Sequence, residues 1–168
     1  MKSHLALQLL RLSGFSQIIT TVSSKHESLV KKYGATHVID RTLSLNQQIE
    51  QIRSIAPSLN AAFNTVGSKE TDLLAAQSFS SGGRIVSALE VSKDVSQYSN
   101  VTGNQIYGSP VAHPESATKA WTHIEEALKT GKFLPLPLKV YGGIEDVAEA
   151  LKAVKKASGY KVIIHPQE

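Results

Sequence analysis

His113 lies in the turn His113-Pro114-Glu115, with a carboxylate two residues away. An imidazole beside a carboxylate can act as a general acid or base near neutral pH. The plainer reading is a histidine in a surface turn. Tyr107, Tyr141 and Tyr160 carry hydroxyls that could donate hydrogen bonds in a pocket. Tyr107 and His113 are the candidate catalytic residues. The other histidines are His4, His26, His37, His123 and His165, and none is spaced i, i+4 from a second ligand in a metal pattern. No metal site is expected. Cysteine is absent, which excludes disulfides, thiolate-bound zinc and a cysteine nucleophile. There is no G-x-S-x-G elbow, no P-loop and no G-x-G-x-x-G.

Such groups need a folded frame, and the composition supplies one. Of 168 residues, 41% are hydrophobic and 19% charged, enough apolar material for a buried core. Eighteen Lys and Arg against fourteen Asp and Glu give a net charge of +4. That mild excess suits an anionic small molecule. It argues against nucleic acid as a partner, because the cations are scattered and aromatics are only 6%. No run approaches the roughly eighteen apolar residues of a membrane span. Leu5 to Leu10 is too short for a signal-peptide core and meets Arg11 with no cleavage site behind it. A cytoplasmic protein without a membrane partner is expected.

The hydrophobic pattern alternates between strand and helix. Leu5, Ala6, Leu9, Leu10 and Leu12 recur at helical spacing, with Leu7 making the segment apolar on most sides, as in a helix buried under a sheet, and Gly14 stops it. Ile18 to Val22 is a β-branched run without alternation, as in a strand covered on both faces. A helix over 25–33 follows, then strand 37–39, helix 47–55, strand 61–66, a helix from Ser68 to about Phe79, and strand 84–89. This rhythm predicts right-handed crossovers and a doubly wound parallel α/β sheet. Residues 90–104 read as a loop and Gln105-Ile106-Tyr107 as a short strand. Ala117, Trp121, Ile124 and Leu128 mark a long amphipathic helix. Leu134-Pro135-Leu136-Pro137 must be extended. A last helix around 144–154 and the strand 161–164 complete the chain.

In this order and spacing the chain resembles the medium-chain dehydrogenase/reductase superfamily, in its zinc-independent quinone oxidoreductase and fungal trans-acting enoyl reductase branch. The residues that carry the likeness are Lys32-Tyr33-Gly34-Ala35-Thr36-His37-Val38-Ile39-Asp40, Phe63-Asn64-Thr65-Val66-Gly67 and Gly82-Gly83-Arg84-Ile85-Val86. Gly142-Gly143-Ile144, Ala148 to Leu151 and Ser158-Gly159-Tyr160-Lys161-Val162-Ile163 add to it. The resemblance implies an incomplete Rossmann-like cofactor domain over 1–132. It implies that 133–168 corresponds to part of the catalytic lobe. It also implies that the first strand and its glycine-rich turn are missing, so that the sequence starts at the helix that follows them. A missing central strand would leave the strands at 18–22 and 61–66 with unpaired backbone groups. They could close up directly, or another chain could supply a strand, or the sheet could rearrange. Rearrangement or a strand swap within a homo-oligomer is expected.

The resemblance also assigns a cofactor end. Ser23, Ser24 and Lys25 follow the strand whose turn meets the adenosine ribose, and serines with a lysine there fit the 2′-phosphate of NADP. Arg41 follows the next strand near the same phosphate. Val66 and Gly67 pass beside the nicotinamide ribose, and Lys161 approaches the phosphate. Each has a structural alternative: Ser24 as a helix cap, Lys25 and Lys161 as solvated lysines, Val66-Gly67 as a plain turn. Because the glycine turn that would cradle the pyrophosphate is missing, no bound cofactor is the first expectation, and NADP is expected only if the ancestral site survives. The leading functional reading is a reductase-like scaffold that holds a small organic molecule and promotes cyclisation, isomerisation or dehydration. The alternatives are an NADP-dependent enoyl or quinone reductase fragment working with a partner chain, and a non-enzymatic assembly subunit. A homodimer through the strand around Gln105–Tyr107 is expected.

Overall fold

The computed structural model describes residues 2–156 and 159–165; Met1, where the reading placed the start of the chain, and Ser158 of the tail motif lie outside them. Strands β1 (Ile19–Val22) and β2 (His37–Asp40) form a parallel pair, with Ile19 opposite His37. Strands β3 (Ala61–Asn64), β4 (Gly83–Ser87) and β5 (Val101–Gln105) form a second parallel sheet in that order. Helices α1 (Lys2–Leu12), α2 (Glu27–Lys32), α3 (Leu45–Ile55), α4 (Lys69–Ser78) and α5 (Pro114–Lys129) supply the connections and flanks. The chain ends in a parallel β6–α6–β7 unit of Leu138–Tyr141, Val147–Lys156 and Lys161–Ile164.

Local chemistry sets the element boundaries. Ser44 and Ser68 each close a capping box at the start of α3 and α4, with Gln47 and Thr71 returning the bond. Strand β3 stops at Asn64, two residues before the sequence reading, for a visible reason. The Asn64 side-chain oxygen accepts from the backbone N–H of Val66 at 3.0 Å and of Gly67 at 3.1 Å. This Asx turn pulls the chain out of the ladder.

Two expectations need correction. The strand expected at Gln105–Tyr107 is instead Val101–Gln105, inside what reads as a loop. Its residues after Val101 are exposed, and its Gly103 packs under Val91, where a Cβ would come within 2.7 Å. An exposed edge strand carries no apolar alternation, and only its backbone ladder to β4 reveals it. Helix α1 is not covered on most sides. It buries His4, Leu7 and Gln8, while Leu5, Leu9 and Leu12 stay exposed.

Strands β1 and β3 do not pair with each other. They do not close up, and the expected rearrangement does not occur either: β2–β1 and β3–β4–β5 keep the two halves of a doubly wound order. The halves are joined by packing. Ile39 of β2, Ile52 of α3 and Leu74 of α4 form one buried cluster, with Ile19 of β1 against it. On the other side Leu7, Ile18, Val30, Tyr33 and Ala35 are buried together, with Leu134 and Leu136 packed on them.

Polar clamps complete the frame. The Gln8 side chain donates to the Leu134 carbonyl at 3.1 Å and accepts from the Leu134 N–H at 2.6 Å. Tyr33 donates its hydroxyl to the Pro135 carbonyl at 3.3 Å. Asp72, 1% exposed, accepts from Asn64 at 2.7 Å and from the Ser92 N–H at 2.8 Å. That carboxylate ties the end of β3 to the loop after β4. Asp72→Ala leaves two donors without their acceptor, and a loss of about 3 kcal/mol is expected. Urea denaturation checks it, and a change within about 0.5 kcal/mol would contradict this role.

Candidate functional site

Backbone geometry brings the carboxyl ends of β1 and β2 together with the start of α1 and of β7. A cavity of about 510 Å³ opens there, within the usual range of small-molecule sites. Ser3 and His4 enter it from α1, Ser23 and His26 from the end of β1 and the short 3₁₀ turn Ser24–His26, and Arg41 from the end of β2. Tyr160 and Lys161 enter from the strand β7 side. No Asp or Glu is among the described lining residues.

Each cation is placed by its neighbours. The Arg41 N–H donates to the Val22 carbonyl at 3.1 Å, extending the β1–β2 ladder by one rung and fixing Arg41 at its end. The adjacent Asp40 turns away: its carboxylate accepts from the N–H and hydroxyl of Thr42, both at 2.9 Å. Those bonds hold the Asp40 carboxyl below the usual carboxylate range, with Arg41 contributing less. The Lys161 N–H donates to the Pro137 carbonyl at 2.8 Å, opening β7. Neither Arg41 nor Lys161 forms an ion pair among the described residues. Ser23 precedes the 3₁₀ turn in extended backbone and its side chain makes no capping bond, so its hydroxyl is not committed to the helix.

Of the residues singled out in the sequence, Ser23, Arg41 and Lys161 share this cavity. Ser24 and Lys25 lie next to it in the 3₁₀ turn but are exposed and not among its lining. Ser24 does not cap α2; His26 stands in that position. Val66 and Gly67 sit at the end of β3, outside the cavity, with Val66 62% exposed. Gly67 has φ +70°, and a Cβ there would come within 2.5 Å of Leu89, so the turn needs glycine. Ser3 links the two regions through a 2.9 Å bond to Thr65. The candidate catalytic residues are not brought together with them. Tyr107 is 79% exposed after β5, and His113 is exposed at the start of α5. Among the described residues no group of three His, Cys, Asp or Glu converges as a metal centre, and no helix is long and apolar enough to cross a membrane.

Sequence reasoning missed His4. Only 7% exposed, it lines the cavity, and its Nδ1 is buried with no hydrogen-bond partner. Its ring lies 5.1 Å from that of Tyr33, tilted by 31°. Burial first, and then nearby positive charge including His26, holds its pKa below 6.5. Its spacing was a signal: positions 4, 7 and 8 share one helical face, and Leu7 and Gln8 are buried.

The residues present fit a phosphate-bearing ligand. Arg41, Lys161 and the hydroxyl-bearing Ser23, Thr20 and Thr21 line a cavity with no carboxylate in its described lining. They fit the phosphate end of a dinucleotide. The nicotinamide end has only the exposed Val66-Gly67 turn among the described residues.

Comparison with known proteins gives a consistent result. The family described as zinc-binding dehydrogenase matches residues 3–126. An enoyl reductase, cheB, of Chaetomium globosum is 27% identical over 175 residues, covering 90% of this chain and 46% of that protein. Among solved structures, a quinone oxidoreductase of Pseudomonas syringae superposes with TM-score 0.76 at 20% identity, over 97% of this chain and 53% of that one. The apo JamJ enoyl reductase gives TM-score 0.73 at 16% identity, over 95% and 50%. The chain spans about half the length of the relatives it matches.

His4 makes stability depend on pH with a definite sign. Its folded-state pKa is lowered, so the folded protein binds fewer protons than the unfolded chain below about pH 6.5. Its contribution is complete above that pH and is lost as pH falls through the window below it. His4→Phe is expected to flatten the decline in unfolding free energy between about pH 6.5 and 5. Parallel denaturation curves for the two proteins would refute this.

Proposed function

The chain belongs to the zinc-binding dehydrogenase family of the medium-chain dehydrogenase/reductase superfamily, and on that premise we propose that it is the nucleotide-holding half of an enoyl- or quinone-type reductase. The carrying observation is the convergence of Ser23, Arg41 and Lys161 on one cavity with no carboxylate in its described lining. That chemistry favours the 2′-phosphate of NADP over the free ribose hydroxyl of NAD, for which an acidic residue would be the natural partner. NADPH, when bound, supplies the hydride. The protein's own groups bind and orient it: Arg41 and Lys161 neutralise the phosphate, and Ser23 can hydrogen-bond its oxygens. Ser3 brings the first turn of α1 to the same space.

A redox-neutral step on a small organic ligand, the leading expectation from the sequence, draws on Tyr107 and His113 as donors or acids. Neither lines the cavity, so the cofactor reading has the stronger support. A substrate also needs a second wall. Leu138, Val140, Ile144, Leu151 and Val154 are exposed on the β6–α6 unit and offer an apolar surface against which one could close. A second copy is the proposed partner along the free edge of β5. Ile106 donates its N–H to Ser87 of β4 at 2.8 Å, so strand alternation directs the Gln105 N–H to the outer edge.

Two measurements test these proposals. Thermal or chemical denaturation with NADPH is expected to show stabilisation of about 2.7 kcal/mol at a hundredfold excess over Kd. Arg41→Ala and Lys161→Ala are each expected to weaken binding about tenfold, the scale of one charge-assisted bond. No stabilisation at millimolar NADPH would refute the cofactor reading. Light scattering at micromolar concentration is expected to show a dimer, and Gln105→Pro, which removes an outward donor, is expected to shift it to monomer.

A further inference from the structure

We propose that Gln8 is a positioning residue of the cavity: by gripping the Leu134 peptide it sets where β7 docks, and so brings Lys161 to the space that Arg41 lines. Gln8 lies outside the cavity lining and is not among the residues assigned there, so this role rests on the cofactor reading above and deepens it.

Arg41 and Lys161 reach the cavity from distant parts of the chain and are held in different ways. Arg41 is fixed within the β1–β2 pair, its N–H donating to the Val22 carbonyl. Lys161 has no such ladder to the rest of the domain, because β7 pairs with β6 alone. Its hold is a series of contacts along four consecutive residues. The Gln8 side chain donates to the Leu134 carbonyl at 3.1 Å and accepts from the Leu134 N–H at 2.6 Å. The Tyr33 hydroxyl donates to the Pro135 carbonyl at 3.3 Å. Leu136 packs on the cluster of Leu7, Ile18, Val30, Tyr33 and Ala35. The Pro137 carbonyl accepts from the Lys161 N–H at 2.8 Å. Lys161 therefore hangs by its backbone from the same strap whose first residue Gln8 grips.

The strap is suited to passing position along. Pro135 and Pro137 fix their own φ and force the residues before them to be extended, so four residues span roughly 10 Å with little slack. Gln8 is 4% exposed, and an amide engaged at both ends by one peptide has a single orientation. Hydrogen bonds of this kind are directional, whereas apolar contacts set a distance and allow sliding. The start of β7 also meets α2, where a Cβ on Gly159 would come within 2.9 Å of the Leu29 side chain. That contact is apolar and leaves the register of Lys161 to the strap. A cation placed in advance lowers the entropy lost when an anion binds.

The test is calorimetric titration of NADPH into the wild type and Gln8→Met, and into both again carrying Lys161→Ala or Arg41→Ala. Methionine keeps the length of glutamine and removes both hydrogen bonds; Leu134 is half-buried, so water can replace them. Gln8→Met is expected to weaken NADPH binding by at least about threefold, and by no more than Lys161→Ala does. That factor is expected to vanish when Lys161 is already alanine and to persist when Arg41 is. Hydrogen exchange adds a reading without ligand: the Lys161 amide should exchange faster in Gln8→Met while Ile85 in β4 stays protected. Should Gln8→Met fold poorly, Tyr33→Phe loosens the strap one residue further along and is expected to give the same pattern with a smaller factor. A loss of affinity that persists undiminished beside Lys161→Ala, or exchange that quickens uniformly along the chain, would reveal a clamp that only stabilises the fold and would overturn the assignment. Unchanged NADPH affinity in both Gln8→Met and Tyr33→Phe would overturn it as well. Failure of the wild type to bind NADPH would overturn the cofactor reading, and this role with it.

Discussion

β1 pairs with β2 and β3 pairs with β4, and no ladder of hydrogen bonds runs between the two groups. In a doubly wound sheet the ladder normally carries the alignment of the whole layer. Here that alignment depends on side-chain packing. α4 spans both groups, packing Leu74 with Ile52 of α3 against Ile39 and Ile19 on one side and Ala76 against Ile85 of β4 on the other, and α1 reaches the end of β3 through the Ser3–Thr65 bond. Apolar packing of this kind is close-fitting but not directional. The buried polar contacts therefore matter more than usual for register. Asp72, held by Asn64 and Ser92, is the clearest case, because it fixes the turn at the end of β3 against the loop after β4.

The cavity is a consequence of how the distant arm docks. Gln8 treats the Leu134 peptide as a partner strand would, giving and taking one hydrogen bond each, across 126 residues of sequence. Tyr33 fastens the next residue by its carbonyl. The two prolines at 135 and 137 keep the segment extended and leave fewer backbone donors to satisfy. Once that segment is fixed, β6 and β7 follow, and Lys161 arrives at the end of β1 and β2 beside Ser23 and Arg41. The site thus couples a local feature, strand ends and a helix start, to a contact that no local pattern encodes. The same helix face that anchors the arm, His4, Leu7 and Gln8, brings His4 to the cavity wall, its Nδ1 buried and without a hydrogen-bond partner.

These features also shape what the protein can do chemically. The cavity gathers Arg41, Lys161 and the Ser23 hydroxyl in one place. The Val66-Gly67 turn at the end of β3 lies outside it, with Val66 exposed. The chain spans about half the length of its relatives, and apolar residues on β6, α6 and the outer face of α1 remain open. Apolar surface left open in this way is the kind that interaction faces present.

The amino-acid sequence alone determined the alternation of parallel strands and helices, because buried parallel strands must be continuous apolar runs and their crossovers must be amphipathic. It also determined the glycine stops, the serine cap at 68, and the polar ends of β1 and β2 at Ser23 and Arg41, since these depend on residues a few positions apart. β5 stayed hidden because an exposed edge strand is held by backbone bonds that any side chain permits. The outward face of Leu5, Leu9 and Leu12 was equally hidden, because a leucine does not record whether anything covers it. The tertiary structure alone decided that β1 and β3 do not pair with each other, that Lys161 joins Ser23 and Arg41, and that Tyr107 and His113 stay apart from them. It alone turned His4 from one of six histidines into a buried, unpartnered group on a cavity wall. Burial and hydrogen-bond satisfaction are properties of what surrounds an atom, and those surroundings come from residues far away in the chain.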